Sequence, residues 1–269
     1  MTHLPHTLRP RYGFTLVELA IVMVIIALIA GGIMGGQNLM RAAKIRGTVS
    51  QITEIRQSTL VFYDQYMALP GDMPNATSVW SAAVNGNGDG LIESFVGATS
   101  TNDCSVVGGV KSYEPECPDF DGERSQFFYQ LGLAGLTANF KTTVVATTPA
   151  GESYPAVKMR PGTGMIATGP WLALSGGDDN NIWNFTKDKV YLFIGVCNPG
   201  QFGGNESWND CAIFTPTEAW DIDRKIDDGK PLAGKTLGQS SGTPCVTANE
   251  YNLDIPTEAP ACNLMYSIK

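Results

Sequence analysis

The chain has 269 residues, with 18 Lys and Arg against 26 Asp and Glu, for a formal net charge of −8. That balance excludes a nucleic-acid binder, which needs a basic face; with 43% apolar and only 16% charged residues, disorder throughout is excluded too. The two histidines are His3 and His6, so loss of a short leader would leave no imidazole for a Ser-His-Asp triad, a Cys-His pair or a histidine-ligated metal.

The N-terminus reads MTHLPHTLRPRYG and then FTLVELAIVMVIIALIAGGIMGG. Arg9 and Arg11 flank the apolar run, and no charged side chain occurs from Leu19 to Met40. That stretch would reach roughly 33 Å as a helix, against a bilayer core of about 30 Å. The arginines place the N-terminus in the cytoplasm. A cleaved secretory signal is the competing reading. It lacks a suitable small-x-small site, because Ala27 and Ala30 have the wrong spacing. Glu18 lies at the start of the apolar run, where a lone carboxylate is costly, about 2.5–3.5 kcal/mol at mid-membrane and less near an end. Such a charge calls for a partner.

Gly13-Phe14-Thr15-Leu16-Val17-Glu18 resembles the processing site of type IV pilins and type II secretion pseudopilins. The resemblance covers about residues 9–36. It implies that a prepilin peptidase cuts between Gly13 and Phe14 and methylates the new amine, and that Glu18 becomes the fifth residue of the mature chain. A carboxylate there neutralises the Phe14 amine of a neighbouring subunit, and an ion pair in lipid favours assembly because each charge alone is penalised. The expected order is therefore a leader over 1–13, a long helix over 14–66 and a head over 67–269. Within the helix, 14–40 spans the membrane or forms a filament core, and 41–66 is amphipathic. The fold class is α+β: a long N-terminal helix packed on a loop-rich, disulfide-containing β-sheet head, as in pilins.

Past the membrane run, Ile45, Val49, Ile52, Ile55, Phe62, Tyr63 and Tyr66 recur mostly at spacings of 3 or 4, one apolar helix face. Gly31, Gly32, Gly35 and Gly36 mark either a place where the helix bends or a surface for close helix packing. Leu69-Pro70-Gly71-Asp72 ends the helix. A second helix is expected near 122–138, lined by Phe127, Phe128, Leu131, Leu133 and Leu136. Strands are expected over Thr143–Thr147, Met165–Thr168, Trp171–Ser175 and Lys189–Val196. A further helix has Thr215 as N-cap, Pro216 as first residue, Glu218 completing a capping box, and a buried stripe of Ala219, Ile222 and Ile226 that Gly229 closes.

All six cysteines, Cys104, Cys117, Cys197, Cys211, Cys245 and Cys262, fall in the head. An even count in an oxidising compartment suggests three disulfides, with free thiols as the alternative. Sequence spacing suggests neighbour pairing, which closes the loops 104–117, 197–211 and 245–262. The absence of C-x-x-C argues against redox catalysis and zinc.

Asn85-Gly86-Asn87-Gly88-Asp89-Gly90 resembles the first half of a calcium loop, with Asn85, Asn87 and Asp89 as alternating oxygen ligands and Glu93 as a further candidate. Val96 stands where the closing Glu of such a loop belongs, and a glycine-rich turn without an ion is the competing reading. Asp221, Asp223, Asp227 and Asp228 form a second acidic cluster. Asp227 and Asp228 fall at a helix C-terminus, where negative charge is disfavoured. Either a calcium ion or the nearby Lys225 and Lys230 would relieve it.

The function expected from the resemblance is structural, not enzymatic: a filament subunit of a type IV pilus or a type II secretion pseudopilus. Its partners would be its own kind and other pilin-like subunits, the prepilin peptidase, the inner-membrane assembly platform and the membrane, with no nucleic acid. Its place would be the bacterial inner membrane before assembly, and a periplasmic or extracellular filament after it. The alternatives are a pilus-displayed adhesin whose Trp80, Trp171, Trp183, Trp208 and Trp220 line a binding surface, and an anchored hydrolase using the 221–228 carboxylates.

Overall fold

A computed structural model describes residues 15–92, 106–107, 110–111, 123–141, 150–160, 162–168, 189–196, 212–240, 245–254 and 260–268. The chain divides into two compact units, Met1–Ala43 and Lys44–Lys269. One helix, α1 (Leu16–Tyr66), begins in the first and ends in the second.

In the first unit α1 runs unbroken through Gly31, Gly32, Gly35 and Gly36, and open space surrounds all four glycines. Its large apolar side chains face outward, Leu28 at 72% exposure. The segment is long and apolar enough to cross a membrane.

In the second unit the α1 stripe is covered. Ile45, Ile52, Ile55 and Phe62 are buried, with Val49, Tyr63 and Tyr66 packed beside them. Full burial of such side chains stabilises the fold by about 1.5–3 kcal/mol each. Two polar contacts fix the rotation of the helix: Gln51 Nε2 donates to the Ala156 carbonyl at 2.7 Å, and Ser58 Oγ donates to the Leu136 carbonyl at 3.0 Å. Met67 takes a left-handed conformation, φ 55°, and ends the helix ahead of Pro70.

The head is built on a four-stranded antiparallel sheet. β3 (Gly164–Thr168) and β4 (Tyr191–Val196) overlap the expected strands, and β5 (Thr236–Ser240) and β8 (Cys262–Ser267) complete the order β3-β4-β8-β5. Phe193 lies opposite both Ile166 and Met265, which places it mid-sheet. Tyr191–Gly195 and Cys262–Ser267 are buried at every position, so both faces of the two central strands are covered. Small pairs are formed by β1 (Val106–Val107) with β2 (Val110–Lys111) and by β6 (Val246–Thr247) with β7 (Glu250–Tyr251). The expected strands over 143–147 and 171–175 lie outside the described residues.

The remaining helices are α2 (Ala76–Val79), α3 (Glu123–Leu133) and α4 (Pro216–Ile226). α3 is shorter than the expected 122–138: a turn at Gly135, φ 72°, follows it. Phe127, Phe128 and Leu131 are buried as expected, but so are Glu123, Gln126 and Gln130. α4 begins at a complete capping box: Glu218 N donates to Thr215 Oγ1 at 3.2 Å, and Thr215 N donates to Glu218 Oε2 at 3.0 Å. Ala219 and Ile222 are buried, and Asp227 is the C-cap.

Cys245 and Cys262 are joined by a disulfide, which ties the start of the β6–β7 pair to central strand β8. Cys104, Cys117, Cys197 and Cys211 lie outside the described residues.

Candidate functional site

At the head of α1, Thr15 and Glu18 form a second capping box. The backbone N–H and Oγ1 of Thr15 donate to Glu18 Oε2 at 2.7 and 2.8 Å, and Glu18 N donates to Thr15 Oγ1 at 3.3 Å. Two of the N–H groups that a helix start leaves unpaired are thereby satisfied. Both bonds accepted by the Glu18 carboxylate fall on Oε2; among the described residues Oε1 accepts none, so it can still take an ammonium. Gly13 and Phe14 lie outside the described residues.

The NGNGDG turn closes around a carboxylate. Buried Asp72, from the Pro70-Gly71 turn, accepts Gly88 N at 2.6 Å and Asp89 N at 3.1 Å on Oδ1, and Gly90 N at 2.8 Å on Oδ2. Asn85 Oδ1 accepts Thr77 N of α2 at 2.8 Å, and Asn87 Oδ1 accepts Asp89 N at 2.9 Å. The buried polar face of α3 holds the same segment. Glu123 Oε1 accepts Asn87 N, Gln126 Oε1 accepts Val84 N, and Gln130 bridges Gly71 N and the Val84 carbonyl. Gly71 admits no side chain: a Cβ there would sit 2.2 Å from the Glu123 carbonyl.

Among the calcium ligands expected from sequence, Asp89 is thus brought to Asp72 and Glu123, with carboxylate oxygens within 4.8 Å of one another. Asn85 is committed to α2, and Glu93 lies outside the described residues. Burial raises the Asp72 pKa and the Asp89 charge adds to this, while the three N–H groups pull it down.

The second acidic group gathers Asp223, Asp227 and Asp228 within 4.8 Å at the C-terminal end of α4. Asp223 is fully buried; its Oδ2 accepts the Tyr251 hydroxyl at 2.9 Å and its Oδ1 accepts Gly229 N at 3.3 Å. Burial pushes its pKa up to about 7, with the Asp228 and Asp227 charges adding and the two hydrogen bonds opposing. Asp227 Oδ2 accepts Lys235 N and Thr236 N, and Asp228 Oδ1 accepts Lys230 N at 2.9 Å. Lys225 does not neutralise this group: both it and Arg224 turn to Asp221, at 3.7 and 3.0 Å. Among the described residues none of the three clustered aspartates is in an ion pair.

Of the five tryptophans, Trp80 packs in the core beside Phe62 and Tyr66, and Trp220 is half-buried beneath the Arg224 guanidinium at 4.1 Å. Trp171, Trp183 and Trp208 lie outside the described residues.

Residues 8–34 match the prokaryotic N-terminal methylation motif. The chain carries the prepilin-type signal of type IV pilins and pseudopilins. No curated protein and no solved structure matches it. The match spans residues 8–13, the Gly13–Phe14 bond and the first part of α1, so in this pilin-like chain the Thr15–Glu18 box belongs to the signal itself. T-x-x-E is a short-range helix-start pattern, and Thr15–Glu18 carries it as Thr215–Glu218 does, alongside the charge of Glu18. Asp72 and Glu123 carried no such local mark: their partners lie 16 and 36 positions away.

Proposed function

We propose that the protein is a structural subunit of a type IV pilus or a type II secretion pseudopilus, processed at Gly13–Phe14 by prepilin peptidase and assembled through α1. The observation that carries this reading is the prepilin-type signal at 8–34, set on a helix whose large apolar side chains are exposed from Leu16 to Ile33 and again at Leu39 and Met40. Exposed apolar surface on that scale must be covered by lipid or by other helices. Arg9 and Arg11 support an inner-membrane precursor with its N-terminus in the cytoplasm, which puts the head on the far side. Glu18 Oε1 supplies a ligand for the methylated amine of a neighbouring Phe14. Other pilin-like subunits and the assembly platform follow as partners from the same signal.

The test is N-terminal sequencing of protein purified from cells that carry a prepilin peptidase, together with recovery of sheared filaments. The expected result is a chain starting at Phe14 with a methylated amine and present in the filament fraction. A start at residues 31–37, or an intact Met1, would overturn the reading.

A further inference from the structure

The turn over 85–90 repeats one chemical hazard three times, at Asn85-Gly86, Asn87-Gly88 and Asp89-Gly90. In each pair the glycine nitrogen can attack Cγ of the side chain before it and close a five-membered succinimide ring. Glycine, with no Cβ in the way, hinders that attack least. The fold cannot escape by replacing the glycines. Gly88 and Gly90 have φ of 77° and 84°, which side chains rarely adopt. A Cβ at Gly86 would lie 2.4 Å from Asp72 Cα. Asn87 and Asp89 are exposed, so water reaches both.

All three attacking nitrogens are committed elsewhere. Gly88 N donates to Asp72 Oδ1 at 2.6 Å, Gly90 N donates to Asp72 Oδ2 at 2.8 Å, and Gly86 N donates to the Met73 carbonyl at 2.9 Å. The side chains open to attack are held too. Asn85 Oδ1 accepts Thr77 N, Asn87 Oδ1 accepts Asp89 N, and Asp89 Oδ1 accepts Leu91 N. To attack, a backbone nitrogen must shed its proton and turn toward Cγ. An N–H aimed at a carboxylate resists both steps. A hydrogen bond to a charged group has to break first, and the nitrogen anion would form beside a negative charge.

We propose that Asp72 guards the turn chemically: by binding the Gly88 and Gly90 N–H groups it keeps Asn87 from deamidating and Asp89 from isomerising. Water is the only co-reactant these reactions need. Gly88 N bonds to Asn87 Cγ, the Cγ–Nδ2 bond breaks, and the amide group leaves as ammonia with the proton lost by Gly88 N. Water then opens the ring at either carbonyl, which leaves aspartate or isoaspartate. At Asp89 ring closure expels water and reopening takes it back, so the backbone is rerouted with no change of mass. The damage would spread. Asn87 Nδ2 donates to Asp89 Oδ2 at 3.0 Å, and a carboxylate at position 87 would turn that donor into an acceptor. It would also stand beside Asp72, Asp89 and Glu123, whose carboxylate oxygens already lie within 4.8 Å of one another. The guard rests on the geometry of the cradle and is independent of how the subunit assembles.

The test incubates the full chain in detergent micelles in mildly alkaline buffer and follows it by peptide mapping. The readouts are the gain of one mass unit at Asn87 and enzymatic methylation of isoaspartate at 87 and 89. The same chain unfolded in urea is the reference for an unguarded turn. Folded wild type is expected to convert Asn87 slower than the unfolded chain by about tenfold or more, and Asp72→Ala faster than folded wild type by about tenfold or more. Asp72→Asn keeps the shape but offers one acceptor oxygen, so it frees Gly88 N or Gly90 N, and the summed isoaspartate at 87 and 89 should rise. Gln126→Ala controls for loosening alone. It frees Val84 N of the same segment, and Val84 follows Ala83, whose side chain offers nothing to attack. It should convert Asn87 at close to the wild-type rate. The proposal is overturned if folded wild type converts as fast as the unfolded chain, if neither Asp72 variant converts faster than wild type, or if Gln126→Ala converts as fast as Asp72→Ala.

Discussion

Asp72 accepts the backbone N–H of Gly88 at 2.6 Å, and with it the turn that looks most like a calcium loop becomes a cradle for a carboxylate of the protein itself. Three consecutive N–H groups, from Gly88, Asp89 and Gly90, converge on that one side chain. Asp72→Ala should therefore unfold the segment 70–90 from α3. Hydrogen bonds to a charged group contribute about 1.5–3 kcal/mol each, and partial relief by water leaves an expected loss on the order of 3 kcal/mol. Urea melts of the full chain in detergent would measure it. A change within about 0.5 kcal/mol, the size of an ordinary surface substitution, would show that the cradle holds nothing.

Glu18 has two candidate duties, and one pair of variants separates them. As a helix cap it satisfies Thr15 N, which glutamine can also do. As counter-charge to the Phe14 amine it needs its negative charge. Glu18→Gln should keep α1 and membrane insertion but lose filament assembly; Glu18→Ala should lose assembly and also weaken the start of α1 by about 1 kcal/mol. Filament yield in sheared fractions and helicity by circular dichroism are the readouts. Normal assembly by Glu18→Gln would leave capping as the only role.

The local signals of this fold were legible and the long-range ones were not. Thr215-Pro216-Thr217-Glu218 announces a helix start because every partner lies within three residues. The α1 stripe from Ile45 to Tyr66 was readable because its spacing is set by the helix alone. Strand β8 is not legible: CNLMYS is buried at all six positions, so it has no polar–apolar alternation to mark it. The polar face of α3 is illegible for the opposite reason. Glu123, Gln126 and Gln130 look like a wet face by composition, but they are buried because the loop 71–87 brings its unpaired N–H groups to them. Nothing near α3 in the sequence says so. At the acidic groups, Asp227 and Asp228 are visible as a doublet, whereas the Tyr251–Asp223 and Thr236–Asp227 hydrogen bonds require three elements to be in place.

Alkaline unfolding should show a buried tyrosine. Tyr154 is 2% exposed, its ring is pressed on the Gly164 backbone, and burial pushes its pKa up to about 12 from an ordinary value of 10.0. Below pH 10 the hydroxyl is neutral in both states and adds no pH dependence. Between pH 10 and about 12 the unfolded chain releases the proton while the folded chain keeps it, so stability falls as pH rises. At about 1.4 kcal/mol per unit the loss from this group reaches about 3 kcal/mol at most. Tyr154→Phe should make the fall shallower in chemical melts taken at intervals from pH 9 to 12. An unchanged slope would place the ring's hydroxyl in water.

The Cys245–Cys262 disulfide should be a stabilising link and not an incidental contact. It closes a sequence separation of 17 residues and joins the start of the β6–β7 pair to β8, one of the two strands paired on both sides in the sheet. In the chain-entropy account a loop of that size restricts the unfolded state by about 3 kcal/mol. Both cysteines are fully buried, so simple reduction would leave two thiols in the core and mix strain with the loss of the link. The cleaner experiment replaces both, Cys245→Ala with Cys262→Ala, and compares urea midpoints under oxidising conditions. A loss of about 3 kcal/mol is expected, with a further small cost for the two sulfurs removed from the core. Peptide mapping of the wild-type protein without reductant should recover residues 245 and 262 in one cross-linked pair. If Cys245 is recovered joined to Cys104, Cys117, Cys197 or Cys211, the β6–β7 pair is anchored elsewhere, and the stabilisation expected here would have to be measured on that other pair.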